Sequence, residues 1–226
     1  MRSEGLPTQF SGRRKIWSVA EISPTVRPYT ERLERAVERV RTRINAISEP
    51  QRIVFTAKAN RSRVIGRFGF GGACYDPHEI QLWFDPKNPN MEEHLGQTLE
   101  RTIAHEYHHA LRWAGPGYGA KLGAQLVSEG LAGQFVRQLY ASPPEPWEAA
   151  LDEENLAPWR RRAFDEFEAR DHGHRNWFFG ANGYPPWLGY TLGYDLIGRY
   201  LAENPSQTAL SLAHAPYRQF RETLIA

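Results

Sequence analysis

The sequence is poor in cysteine, and Cys74 is the only one. A single thiol excludes an intramolecular disulfide and fits a reducing compartment. It also excludes a zinc site built from several thiolates, so a metal site in this chain would have to consist of histidines and carboxylates.

Long apolar runs and an excess of one charge are also missing. No segment reaches the roughly 18 apolar residues of a membrane span. The first residues, MRSEGLPTQFSGRRK, lack the apolar core of a signal peptide. The 28 basic and 26 acidic residues are interspersed, which gives no field that would favour nucleic acid or a membrane surface. We therefore expect a cytoplasmic protein that binds neither.

The order of sequence patterns predicts the α+β class. Residues 1–14 lack periodicity and predict a flexible N-terminal arm, whereas residues 15–226 are expected to form a single domain. A helix is predicted over residues 28–47, where apolar side chains recur at helical spacing. Residues 51–85 alternate apolar with polar residues and contain many β-branched ones, which predicts a small antiparallel sheet. The remainder is expected to be mostly helical.

Four glycines lie within the predicted sheet: Gly66, Gly69, Gly71 and Gly72. A glycine inside a strand often marks a bulge or a close approach of another backbone. The cluster is therefore either a substrate-binding edge or a plain glycine-rich hairpin loop.

The segment from Asn90 onward predicts the helix that carries the chemistry. Asn90 and Glu93 have the spacing of a capping box. The helix then contains the motif H-E-x-x-H, in which His105 and His109 lie one turn apart on one side with Glu106 beside them. A catalytic zinc needs three protein ligands and one open position for water. We expect the two histidines to bind zinc and Glu106 to be the general base.

The extended motif H-E-x-x-H-x-x-G-x-x-H of metzincins is absent. Arg112 occupies its glycine position, and Gly115 occupies its last histidine position. The third ligand must therefore come from elsewhere in the chain.

We expect Glu129, twenty residues beyond His109, to be that third ligand. It lies on a second predicted helix, residues 119–140, which the break GPGYG allows to fold back antiparallel to the first. Its helix face is otherwise apolar, and an unpaired buried carboxylate would be costly. Ala132 and Gly133 are small enough to let the two helices approach closely. The alternative is an ordinary surface glutamate.

Three other histidines are candidates for smaller roles. His108 lies one turn from His105, but it points to the opposite flank and is expected to be packed or to support the site. His172 and His174 are a possible second metal tract or substrate contacts, although two histidines in a polar loop are more often simply solvated.

The chain resembles the bacterial family of predicted zinc-dependent proteases, a domain of unknown function in the gluzincin clan. The resemblance rests on AHEYHHALRW, VSEGLAGQF and NWFFGANGYPPWLGYTLGYDLIGRYL, and it extends over roughly residues 50–203. It implies a zincin-like fold. With the metal-binding motif, we expect a zinc cofactor and a peptide or protein substrate. The sheet edge would lie above the metal and hold an extended peptide by main-chain pairing.

Two tyrosines are candidates for stabilising the oxyanion. Gluzincins often use a tyrosine or histidine from a helix after the third ligand, and Tyr190 and Tyr194 lie one turn apart on such a helix. Gly189 and Gly193 beside them would allow close approach to the ligand helices. The resemblance favours Tyr190, while simple aromatic packing of both is the alternative.

Three functions fit these patterns. A zinc metallopeptidase is the leading hypothesis. The alternatives are another zinc hydrolase that uses the same site, and a catalytically silent zinc-binding or chaperone-like module. Glu106 favours the first two, because a purely structural site needs four protein ligands and no base.

Overall fold

The computed structural model describes residues 16–226, so the predicted N-terminal arm lies outside the described residues. Within them, four strands form one mixed sheet in the order β1-β2-β4-β3. The strands are β1 (Trp17–Ile22), β2 (Ile53–Ala59), β3 (Phe70–Asp76) and β4 (Glu79–Phe84).

The expectation of an antiparallel sheet is wrong. β1 and β2 pair in parallel, β2 and β4 pair in parallel, and only β3 and β4 are antiparallel. The physical reason is connectivity: a helix lies between β1 and β2 in the chain, and β4 inserts between β2 and the preceding β3. Alternation within a strand reports which face is buried and carries no information about the direction of its neighbour.

The hairpin before β4 differs from its prediction as well. The segment VIGRFGF, predicted as a strand, is mostly a turn that ends at Gly69, and β3 begins only at Phe70. Gly69 has a φ of +74°, and a Cβ there would lie 2.7 Å from the Cβ of Met91. Glycine is needed at this position both for the positive φ and for the close approach.

Helices form the rest of the architecture, which confirms the α+β class. They are α1 (Thr30–Asn45), α2 (Met91–His94), α3 (Gln97–Trp113), α4 (Leu122–Tyr140), α5 (Glu153–Asp165), α6 (His174–Phe179) and α7 (Leu188–Glu203). Short 3-10 helices occur at Arg27–Tyr29, Arg61–Arg63 and Tyr217–Leu224. The predicted helices over 28–47 and 119–140 are confirmed as α1 and α4, with slightly shorter bounds. None of the described helices is both long and apolar enough to cross a membrane.

The helix predicted to begin at Asn90 is broken into α2 and α3. Asn90 has helical φ and ψ and makes no capping hydrogen bond, so the predicted capping box is wrong. Gly96 has φ −103° and ψ −126°, which ends one helix and starts the next. The H-E-x-x-H motif itself lies well inside α3.

The core places α3 and α4, the helices that carry the predicted ligands, between the sheet and α7. α3 packs against β3 on one side and α4 on the other, and α4 in turn packs against α7. The closest approach is that of α4 to α7, since a Cβ on Gly130 would lie 2.0 Å from the carbonyl oxygen of Gly193.

Of the glycines expected to allow close approach of these helices, Gly193 does so, whereas Gly133 and Gly189 contact other residues. Gly133 faces Glu148 and Tyr194 and does not open a path to α3. Gly193 does permit close approach to a ligand helix, because a Cβ there would lie 2.3 Å from the carbonyl oxygen of Leu126. Gly189 packs against the ring of Phe178 instead.

Candidate metal centre

Three donor atoms from α3 and α4 converge at one point. Nε2 of His105 lies 3.1 Å from Nε2 of His109 and 3.2 Å from Oε2 of Glu129, and the third pair, His109 to Glu129, is 3.5 Å apart. These three residues form a group that could hold a metal ion. Tetrahedral zinc with ligand bonds of about 2.05 Å requires ligand atoms roughly 3.3 Å apart. The three separations fit that requirement.

Strong electrostatic coupling links the three side chains. Burial lowers the pKa of His105, but the hydrogen bond and the charge of Glu129 outweigh burial and raise it to about 9. Burial raises the pKa of Glu129, and the two histidines outweigh that effect and hold it well below its usual range. Because zinc binds neutral imidazole and ionised carboxylate, the binding of a metal ion would release any proton that these side chains hold.

Tyr118 orients the carboxylate of Glu129, and sequence reasoning missed it. Its hydroxyl donates a 2.6 Å hydrogen bond to Oε1 of Glu129, which leaves Oε2 facing the histidines. Its ring also packs edge-on against His109, with 5.5 Å between ring centroids. Tyr118 lies in the GPGYG break between Gly117 and Gly119, both with positive φ. The sequence signal for Tyr118 was its position in a glycine-rich turn that joins α3 to α4.

Ring packing holds His109, and a hydrogen-bond network connects the helices around it. The buried Nδ1 of His109 has no hydrogen-bond partner among the described residues, so ring packing orients this side chain. Arg112 fastens α3 to α4 nearby, because its Nε donates to Oγ of Ser128 at 3.0 Å. Ser128 in turn donates to the backbone carbonyl of Tyr118 at 3.3 Å. The two ligand helices and the tyrosine turn are thus connected in one network.

Glu106 is a buried carboxylate beside the cluster. It makes no hydrogen bond or ion pair with any residue in the described part of the chain. Burial raises its pKa, and the neighbouring His109 and His105 only partly oppose that rise. Its side chain packs over β3 at Gly72, where a Cβ would lie 2.6 Å from Cγ of Glu106. The glycine of the sheet therefore makes room for this carboxylate.

A cavity of about 700 Å³ opens over the three donors and Glu106. Its walls come from β3, α3, α4, the segment before α5, and the α6–α7 region. Tyr190 lines this cavity, whereas Tyr194 borders a separate pocket with Arg137 and Ser142. Burial, together with the charges of Glu129 and Glu106, raises the pKa of Tyr190 well above its usual value, so it remains a neutral donor.

The other histidines occupy three different environments. His108 is fully buried beside Phe135, and its Nε2 bonds to the carbonyl of Ala209 at 3.0 Å, as expected for a packing residue. Burial lowers its pKa to about 3, so it is neutral. His172 is buried and bonded to Gln125 on α4, so the expectation of a solvated residue is wrong for it. His174 is exposed, lines the cavity and also bonds to Gln125.

Comparison with known families decides the membership of the chain. The family model described as Predicted Zn-dependent protease (DUF2268) matches residues 29–222. The chain belongs to this family. The match confirms the resemblance seen in the sequence and extends it to α1 at one end and to the Tyr217–Leu224 helix at the other. No curated protein matches the chain.

Proposed function

We propose that the protein is a zinc-dependent metallopeptidase of the gluzincin type, with a zincin-like arrangement of sheet and ligand helices. The observation that carries the proposal is the convergence of His105, His109 and Glu129 beside the unpartnered carboxylate of Glu106. Membership of the predicted zinc-dependent protease family supports it.

His105, His109 and Glu129 would hold the zinc ion. Their nitrogen and oxygen donors are the types that zinc prefers, and their separations match a tetrahedral site. When bound, zinc lowers the pKa of a coordinated water to about 7 and polarises the scissile carbonyl. Tyr118 keeps Oε1 of Glu129 occupied, so that one carboxylate oxygen faces the ion.

Glu106 would be the general base. A buried carboxylate that forms no ion pair in the described part of the chain, and whose pKa is raised by burial, accepts a proton from the attacking water more readily than an exposed one. The same oxygen atoms can then deliver that proton to the leaving amine.

The outer edge of β3 would hold the substrate backbone. β3 is the last strand of the sheet, and Phe70, Gly72 and Cys74, which precede its bulge, direct their main-chain groups away from β4. The Phe70 carbonyl is taken by the amide of Ile65, and the Cys74 carbonyl is taken by the indole of Trp113. Between them, the groups of Gly72 remain for pairing with an extended peptide.

Tyr190 would donate to the oxyanion. Its position in the cavity and its neutral hydroxyl suit this role. Tyr194, which borders another pocket, is expected to be a packing residue.

Two alternative functions, another zinc hydrolase and a catalytically silent zinc-binding module, can be distinguished from a peptidase. Another zinc hydrolase would use the same metal and base on a different bond, and a silent module would bind zinc without turnover. A structural zinc site closes with four protein ligands, whereas the described residues bring three together here.

A peptide-library digest with and without a chelator tests the proposal. The purified protein should contain about one zinc per chain by elemental analysis, and chelation should abolish cleavage until zinc is returned. Stoichiometric zinc without cleavage would favour the silent module. Protein that takes up no zinc would contradict the proposal altogether.

A further inference from the structure

Glu148 is an acidic residue of the cavity that the proposed mechanism does not use. It lies between α4 and α5, lines the cavity, and is only 6% exposed. Its Oε1 lies over Gly133, where a Cβ would be 2.3 Å away. Gly133 follows Glu129 by one helical turn, a rise of about 6 Å, so the Glu148 carboxylate lies one turn of α4 beyond the proposed third ligand.

No residue in the described part of the chain forms an ion pair with Glu148. Arg101, which also lines the cavity, is bonded at 2.6 Å to Glu145, so that pair neutralises itself. Oε2 of Glu148 accepts a hydrogen bond of 2.7 Å from the backbone amide of Glu145. Oε1 has no hydrogen-bond or ion-pair partner anywhere in residues 16–226.

This arrangement is costly for the protein alone. Burial raises the pKa of Glu148 to about 7, although its bond to the Glu145 amide and the nearby His105 oppose that rise. An uncompensated buried carboxylate is destabilising, and such groups are normally paired. A cation that enters the cavity from outside would supply a partner for the ionised form of Glu148.

The segment that carries Glu148 is fixed in place. Oγ1 of Thr191 on α7 donates to the carbonyl of Trp147 at 2.9 Å and accepts from the amide of Ala150 at 3.2 Å. The ring of Trp147 lines the cavity and packs edge-on against Phe68. A cavity lined by both a fixed carboxylate and an aromatic residue suits an ammonium group on an alkyl stem.

We propose that Glu148 binds an ammonium group of the substrate, a proposal that rests on the peptidase function proposed above. The rise of that helical turn, about 6 Å, is comparable to the length of two residues of an extended peptide. The ammonium is therefore either the free N-terminus close to the scissile bond or the side chain of a nearby lysine. The first source would make the protein an aminopeptidase, and the second would make it selective for basic residues.

Matched fluorogenic peptides distinguish the two sources. One pair compares a free with an acetylated N-terminus, and the other compares lysine with norleucine at each position flanking the cleaved bond. Loss of a charge-assisted hydrogen bond weakens an interaction roughly ten- to a hundredfold, so kcat/KM should favour the charged member of one pair by that factor. The preference should disappear in Glu148→Gln, while the neutral substrate is cleaved at nearly the wild-type rate.

Two further variants serve as controls for the role of Glu148. Glu148→Asp keeps the charge but withdraws it by one methylene, so the preference should shrink. Glu92→Gln removes an exposed carboxylate outside the cavity and should leave the preference unchanged. An undiminished preference in either folded Glu148 variant, or no preference in the wild type, overturns the proposal.

A binding measurement separates this proposal from the peptidase function. Calorimetry of n-hexylamine with zinc-loaded Glu106→Gln protein needs no turnover. Adding Glu148→Gln should weaken the binding at least about tenfold. If no peptide is cleaved but this difference is found, the peptidase function fails and the ammonium site stands. Equal binding of n-hexylamine by both proteins refutes the site.

Discussion

One hydroxyl group sets the orientation of the Glu129 carboxylate, the proposed third ligand. Tyr118 occupies Oε1 of Glu129 and thereby directs Oε2 at the two histidines. We predict that Tyr118→Phe lowers zinc affinity roughly 10- to 100-fold, the usual effect of losing a group that orients a metal ligand. Competition with a chelator measures this. Tyr75→Phe is the control, because Tyr75 lines the cavity without touching a ligand. Equal affinity in the two variants would remove Tyr118 from the metal centre.

The tyrosines of α7 permit a second test at the scale of single residues. Tyr190→Phe should lower kcat roughly ten- to a thousandfold with unchanged zinc content, because one oxyanion donor is lost. Tyr194→Phe should leave kcat unchanged, since Tyr194 borders a different pocket. Steady-state kinetics on one cleaved peptide checks both. A loss in Tyr194→Phe alone would transfer the role, and no loss in either would leave both as packing residues.

At the scale of elements, the contact between β3 and α3 sets the position of Glu106, the proposed base. A Cβ on Gly72 would lie 2.6 Å from Cγ of Glu106, so Gly72→Ala must displace that side chain. A shift of about 1 Å in a reacting group costs roughly a hundredfold in rate. We predict this loss of hydrolysis with zinc retained. Gly66→Ala is the control, because nothing lies within 4 Å of a Cβ there. Wild-type activity in Gly72→Ala would show that this contact does not position the base.

The contact between α4 and α7 should matter for stability. A Cβ on Gly193 would lie 2.3 Å from the carbonyl oxygen of Leu126, and helix backbone cannot move aside as a side chain does. We predict that Gly193→Ala lowers the free energy of unfolding by about 1–3 kcal/mol or more, as overpacked cores do. Urea unfolding, again with Gly66→Ala as the reference, measures this. A change below about 0.5 kcal/mol, the range of ordinary surface substitutions, would contradict the close packing.

At the scale of the whole molecule, the sequence predicts local patterns better than it predicts how they combine. Helical spacing placed α1 and α4 correctly, and the i, i+4 spacing placed His105 and His109 on one face of α3. The parallel pairing of the sheet was not predictable, because strand direction depends on connections across the fold. β1 was not predicted either. It is a strand of six residues that pairs with β2, from which α1 separates it in the chain.

The candidate site shows the same contrast between local patterns, which the sequence predicts, and contacts across the fold, which it does not. The motif and its spacing identified the two histidines, Glu106 and Glu129 as neighbours, and the structure brings them together. Tyr118 and Glu148 could not be found in this way, because each acts through a contact made by a turn or a loop. Sequence periodicity describes helix faces and carries no signal for such contacts.

The separate roles of Glu106 and Glu129 form the central claim of this account, and zinc content measured beside peptide hydrolysis in two variants tests it most directly. Glu106→Gln should retain about one zinc per chain and lose hydrolysis by roughly a hundredfold or more, because an amide cannot accept the proton of water. Glu129→Ala should lose zinc and activity together, because a metal ligand is removed. If Glu106→Gln released zinc as readily as Glu129→Ala, or hydrolysed peptides at the wild-type rate, the assignment of base and ligand would be wrong.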